Sequence, residues 1–145
     1  MTIRLSPNHR LKPLFDRNHV AWLSEQEAEH QDIRPLRIGI LNIMPHAEDY
    51  EFNLLAPMGR SILQIVPVWI RLKTHDYKSS DHAHLDQHYV PFDWAQSVAS
   101  LDGLIVTGAP VEELPWETVT YWKELCGIVD AAKAGGTCIL GICWG

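Results

Sequence analysis

Four near-continuous apolar runs stand out against an otherwise polar chain: Leu36 to Met44, Ser61 to Leu72, Leu101 to Gly108 and Thr137 to Ile142. Apolar residues at consecutive rather than alternate positions predict strands covered on both faces, as in a parallel sheet. Pro67 falls inside the second run, where its missing amide predicts an edge position or a bulge. Helical patterns separate the runs. One extends from Glu48 to about Leu55, where Pro57 and Gly59 are expected to end it. A clearer one extends from about Pro115 to Ala134, with Trp116, Val119, Trp122, Leu125, Cys126, Val129 and Ala132 at helical spacing. Pro115 suits its first turn and Gly135-Gly136 its stop. Strand and helix in alternation imply βαβ units with right-handed crossovers, and so a doubly wound α/β sheet.

Outside this pattern lie two polar stretches. Residues 1–35 read as an N-terminal arm, with a helical turn or two around Ser24 to Glu29, ahead of an α/β region at 36–145. Its expected role is packing or oligomer contact. Lys73 to Ser100 is a long polar connection with at most short helices near Leu85 and Trp94. A connection of that length in a compact domain is often functional.

Composition narrows the function classes. A chain of 145 residues, 46% hydrophobic and 21% charged, has the make-up of a single globular domain. A formal charge of −6 excludes general nucleic-acid binding, because no basic stripe is present to neutralise phosphates. The three cysteines, Cys126, Cys138 and Cys143, are odd in number and unpaired in spacing. Free thiols in a reducing compartment are expected from them. No signal segment and no apolar run long enough to span a bilayer is seen, so the expected location is cytoplasmic, without a membrane partner.

The strongest chemical signal is Gly141-Ile142-Cys143-Trp144-Gly145. A strand running into Gly-x-Cys-x-Gly reads as a nucleophile elbow, in which the nucleophile sits on a tight turn and small neighbours relieve crowding. A helix starting there would favour the Cys143 thiolate through its amides and dipole. The Trp144 amide would point at a developing oxyanion. Binding crevices in such sheets lie at the carboxyl ends of strands, which is where Cys143 falls. The other reading is a buried core thiol after a strand, as Cys138 is taken to be. A second signal, Thr107-Gly108-Ala109-Pro110-Val111-Glu112, also leaves the carboxyl end of a strand. Close backbone approach at Gly108 and Ala109 would let an amide there complete an oxyanion hole; the alternative is a purely structural turn.

Several motifs in fixed order then carry a resemblance. Leu41-Asn42-Ile43-Met44-Pro45, the stretch from Asp102 to Glu112, Tyr121-Trp122-Lys123-Glu124-Leu125 and Ile142-Cys143-Trp144-Gly145 together resemble the homoserine O-acyltransferases of methionine biosynthesis, of the homoserine O-succinyltransferase type. The resemblance covers about Pro35 to Gly145. It implies a flavodoxin-like or class I glutamine amidotransferase-like sheet. It also implies transfer of an acyl group from coenzyme A to a cysteine, then to the hydroxyl of homoserine. Cys143 matches the family nucleophile. Glu112 matches the position where glutamate goes with acetyl and glycine with succinyl transfer, so acetyl-CoA is the expected co-substrate and succinyl-CoA the other; no permanently bound cofactor is implied. A glutamate there would fill space and repel a second carboxylate. The expected assembly is a homodimer.

Departures from the family are equally informative. Where lysines usually follow Met44-Pro45, this chain has His46-Ala47-Glu48-Asp49-Tyr50-Glu51, so a cationic contact is missing and the acceptor could be serine or a related amino-alcohol. Gly141, two residues before the cysteine, is closer to the class I glutamine amidotransferases, which makes a glutaminase domain the alternative enzyme. Family chains continue well past the cysteine and carry their catalytic histidine and glutamate there. The chain as given therefore reads as truncated at the elbow and inactive by itself, and an inactive scaffold is the third reading.

His75, His82, His84 and His88 cluster in the polar connection, with His84 and His88 at i,i+4. No cysteine or second regular pair accompanies them, so they are read as solvated or loop-bracing rather than as a metal site. Neither His46 nor His75 matches the family's catalytic histidine, and whether either acts as a base is left open. Of the six tryptophans, Trp116 and Trp122 are expected to pack in the core; only Trp144 is placed by its neighbour to touch substrate.

Overall fold

The computed structural model describes residues 3–92 and 100–145; the short helix expected near Trp94 lies outside them. Two compact units are present, one of residues 1–37 with 49–67 and the other of residues 38–48 with 68–145. The architecture is α/β with seven strands, and every described pairing is parallel. It belongs to the doubly wound, flavodoxin-like class expected from the alternation of apolar runs and helical patterns.

In the first unit, the stretch expected to be irregular is ordered into β1 (Ile3–Arg4), α1 (Lys12–Arg17), β2 (Trp22–Leu23) and α2 (Glu25–Glu29). β1 lies between β2, through Ile3↔Trp22, and the start of the strand at Ile65. Local chemistry explains the helices. Pro13 occupies the first turn of α1, where its missing amide costs nothing. Ser24 and Glu27 form a reciprocal capping box at the start of α2. Phe15 is fully buried and meets Phe52 edge-on at 5.5 Å.

β3 (Leu36–Leu41) leads into α3 (Ala47–Met58). The helix passes through Pro57 instead of ending before it. Pro57 stands in the last turn, where only one helical bond is lost, and Gly59 N still reaches Leu55 O at 3.0 Å. β4 (Ile65–Arg71) is interior, contrary to the edge position expected from Pro67. Pro67 lies between Ile65, which pairs with β1, and Ile70, which pairs with β5 (Val90–Pro91).

In the second unit the strands stand in the order β5-β4-β3-β6-β7, with β6 at Gly103–Val106 and β7 at Cys138–Gly141. α4 (His82–His88) is capped by Asp81, whose carboxylate accepts from the amides of Ala83 and His84. The core gathers Leu41, Ile70, Leu104, Val106 and Phe92 against Leu125, Ile128 and Ala132 of α5 (Trp122–Ala134).

The long helix expected from Pro115 is divided. A 3-10 turn over Trp116–Thr118 is followed by Val119 in extended conformation, and the α-helix starts only at Trp122. Val119 is buried, so its apolar side chain reaches the core without helical geometry. Trp116 consequently leaves the core face and is 51% exposed. Within these 145 residues β7 is exposed along its whole length, Cys138 included, where a core thiol was expected. As the last strand in the order it has one neighbour, β6.

Candidate functional site

The site forms where β3, β6 and β7 release the chain at their carboxyl ends. β6 is in register with both neighbours: Val106 stands opposite Leu41 on one side and Gly141 on the other. The three exits are therefore level. Thr107 ties two of them together, its amide donating to Leu41 O at 3.0 Å and its hydroxyl accepting from Ile43 N at 2.8 Å. Asn42, fully buried, braces the turn after β3 by donating to Ala47 O at 2.8 Å and to the Tyr89 hydroxyl at 3.0 Å.

After β7 the backbone turns sharply. Ile142 N donates to Val106 O at 2.9 Å and Gly145 N to Ile142 O at 3.1 Å, with Cys143 at the apex. Its φ is 61°, the left-handed region that a side-chain-bearing residue enters only at a cost. This strained strand-exit turn has the conformation that the elbow pattern predicts, and it leaves Cys143 exposed. Three glycines make the turn possible. A Cβ on Gly108 would come within 2.8 Å of Cys143 Cβ and 2.9 Å of its Sγ; one on Gly141 would meet Gly145 O at 2.3 Å; one on Gly145 would meet Val106 O at 2.3 Å.

The loop Thr107–Glu112 and the elbow are thus brought together at Gly108. The Trp144 amide nitrogen lies 2.9 Å from the position a Gly108 Cβ would take, and Ala109 is the next residue along. Neither the Ala109 nor the Trp144 amide donates a hydrogen bond among the described residues. Glu112 is exposed, and no described hydrogen bond or ion pair engages it. Among the described residues no histidine hydrogen-bonds to Cys143.

The indole of Trp144 anchors the elbow in an aromatic group. It stacks on Trp116 at 5.4 Å and meets Trp122 at 6.1 Å and Tyr121 at 6.4 Å. A cavity of about 540 Å³ runs beside it, bounded by Trp116, Trp122, Cys126, Trp144 and the β7 residues Ile139 and Gly141. That volume falls in the range of small-molecule sites.

On the other side of the loop, Glu124 of α5 accepts from the amides of Lys73 and Thr74, both at 2.9 Å, and so fixes the segment carrying His75. His75 sits edge-on against Tyr77 at 4.5 Å and Tyr121 at 4.8 Å. Burial pushes its pKa down, opposed in part by Asp76. Burial pushes Tyr77 up to about 12, against a hydrogen bond from the Leu72 amide. His46, at φ 50°, donates its amide to Ser79 Oγ. The His84 and His88 rings lie 4.5 Å apart on α4; no group of three metal-binding side chains occurs among the described residues.

Sequence reasoning passed over Tyr121, Thr107 and Asn42 as individual residues. The available signal was position: Asn42 and Thr107 follow strands directly and Tyr121 precedes α5.

Comparison with known proteins adds a family. The model of the homoserine O-succinyltransferase family matches residues 2–145. The chain is similar to the homoserine O-acetyltransferase of Geobacillus kaustophilus, at 41% identity over 145 residues, all of this chain and 48% of that protein. It is similar to the homoserine O-acetyltransferase of Jannaschia sp. strain CCS1, at 40% over 146 residues, all of this chain and 47% of that protein. A further relative, the homoserine O-acetyltransferase of Bacillus licheniformis, is 40% identical over 145 residues, all of this chain and 48% of that protein. The chain spans about half the length of these curated relatives.

Proposed function

Since the chain belongs to the homoserine O-succinyltransferase family, we propose that the protein carrying it transfers an acyl group from acyl-coenzyme A to the hydroxyl of L-homoserine through a thioester on Cys143. The observation that carries this reading is the left-handed Cys143, at φ 61° on a glycine-walled elbow. Folding alone gives no reason to hold a cysteine in that conformation.

The exposed, left-handed Cys143 supports the following steps. The Cys143 thiolate attacks the thioester carbonyl, and negative charge gathers on the oxygen. The amides of Trp144 and Ala109 donate to nothing among the described residues and are the groups proposed to receive that charge. The bond to coenzyme A sulfur breaks, the coenzyme A thiolate takes up the proton that the base had removed from the Cys143 thiol and leaves as a thiol, and Cys143 holds the acyl group. The homoserine oxygen then attacks the new thioester, losing its proton to a base, and the Cys143 thiol is restored. No histidine is hydrogen-bonded to the thiol here, and the resemblance puts the family's catalytic histidine and glutamate after the elbow. The base is therefore assigned to that later part of the protein.

Two observations favour acetyl as the acyl group: the relatives at about 40% identity are named homoserine O-acetyltransferases, and Glu112 occupies the family's acetyl-associated position. An exposed carboxylate on the loop leaving β6 would repel the free carboxylate of a succinyl group.

Incubating the whole protein with acetyl-CoA and measuring its intact mass tests the reading. A gain of one acetyl group, mapped to Cys143 and lost in Cys143→Ala, is expected. Unchanged mass with acetyl-CoA and succinyl-CoA alike, or labelling that survives Cys143→Ala, would sink it.

A further inference from the structure

Thr107 stands directly after β6 and is 2% exposed, so it touches no substrate. Each of its polar groups is nevertheless engaged where the strands release the chain. Its amide donates to Leu41 O at 3.0 Å. Its hydroxyl oxygen accepts from Ile43 N at 2.8 Å, and the hydroxyl proton has Leu41 O as its nearest acceptor at 3.3 Å. Its carbonyl lies on the side of the elbow, 2.7 Å from the position a Gly145 Cβ would take.

The hydroxyl meets a local need first. Ile43 is 1% exposed, so its amide requires an acceptor inside the protein, and Thr107 Oγ is the one described. Asn42 backs the same joint, its Oδ1 accepting from Met44 N at 3.3 Å and lying 3.4 Å from Thr107 Oγ. What the joint carries is the elbow. The next residue, Gly108, leaves no room for a Cβ against three of its atoms: Cys143 Cβ at 2.8 Å, and Cys143 Sγ and the Trp144 amide nitrogen at 2.9 Å. A shift of Thr107 is therefore passed to the thiol and to the Trp144 amide together.

We propose that Thr107 is a positioning residue for acyl transfer: its hydroxyl, by holding the exit of β3 against the exit of β6, sets the Cys143 thiol and the Trp144 amide at the spacing that attack on a carbonyl requires. The inference rests on the acyl-transfer reading above. A role in folding alone would lower stability without favouring one reaction of the thiol over another.

Two small reagents for the same thiol separate alignment from exposure. With p-nitrophenyl acetate, the Cys143 thiolate bonds to the carbonyl carbon, charge gathers on the carbonyl oxygen, and p-nitrophenolate leaves with its bonding pair, read by absorbance. Iodoacetamide alkylates the thiolate by displacement of iodide, with no oxyanion to stabilise. Both rates are measured on the whole protein at one pH, less the rate of Cys143→Ala, which accounts for the other thiols. Thr107→Val, which keeps the shape and removes the hydroxyl, should slow acylation roughly 10- to 100-fold and alkylation by less than about twofold. Thr107→Ser, which keeps the hydroxyl, should recover most of the acylation. Should Thr107→Val not fold, Thr107→Ala is compared with Thr107→Ser in its place. An unchanged acylation rate without the hydroxyl, an equal loss in both reactions, or a serine variant as slow as the valine one would each overturn the proposal. Parallel runs with acetyl-CoA keep the two readings apart. A split between the small reagents in a protein that takes no acetyl group from acetyl-CoA retains the positioning role and removes coenzyme A as donor. Cys143 acetylated by acetyl-CoA at equal rates in wild type and Thr107→Val does the reverse.

Discussion

β6 and β7 are neighbours in register, Gly103 opposite Cys138 through Val106 opposite Gly141, and both are apolar in sequence. Leu104, Ile105 and Val106 are nevertheless buried, while all four residues of β7 are exposed, Leu140 at 57%. Within these 145 residues β6 is flanked by β3 and β7, and β7 pairs with β6, in a chain that spans about half the length of its relatives. An apolar pattern states how much a strand can bury; its neighbours decide how much it does. The two strands share a single working end, where the loop after β6 forms one wall of the turn after β7.

The sharpest way to break that shared end is at Gly108. A valine there would put carbon where Cys143 Cβ and Sγ already stand, displacing the thiol by about an ångström. Acetylation of Cys143 by acetyl-CoA, followed by mass spectrometry, is expected to slow roughly 10²-fold. A wild-type rate would show that the loop is no wall of the site.

Next comes the contrast in burial itself. Leu104→Ala should cost about 2–5 kcal/mol in denaturant unfolding, as a core truncation with a cavity left behind. Leu140→Ala in β7 should cost under about 0.5 kcal/mol in this chain, as a surface change. Similar values for the two would erase the distinction between the strands.

The smallest effect concerns the loop facing β6. Burial holds the His75 imidazole below its ordinary pKa of 6.5, so as pH falls the unfolded chain binds that proton before the folded one does. The stability this histidine permits is whole above about pH 6.5 and declines as pH drops through the folded value. His75→Gln should flatten that part of a melting-temperature profile across pH 5 to 8 while leaving its alkaline side unchanged; a profile identical to wild type would argue against a half-buried imidazole with a lowered pKa.

The four long apolar runs were legible because each carried enough consecutive apolar residues to outweigh any alternative. Two-residue strands such as β1 and β2 carry no period to read, and their pairing with distant residues is invisible from the chain alone. Pro57 misled because a proline's effect depends on whether its missing amide had a partner to lose. Val119 misled because a buried residue can sit at helical spacing without being helical. At the site, the cysteine and its glycines were legible from the elbow pattern. The approach of the Gly108 loop was legible from two strands releasing the chain at their carboxyl ends; its closeness, with no room for a Cβ, was not. Tyr121 had no distinguishing neighbour, and its ring contacts with His75 and Trp144 follow no local pattern.

The conformation of Cys143 places the site under a conflict of selection. At φ 61° glycine is the residue the backbone prefers, by about 1–2 kcal/mol over a residue with a Cβ. Drift toward greater stability, or sequence design that scores folding alone, would therefore replace this thiol first and call the result an improvement. A cysteine in this conformation is a cost to folding that the proposed thioester chemistry would account for.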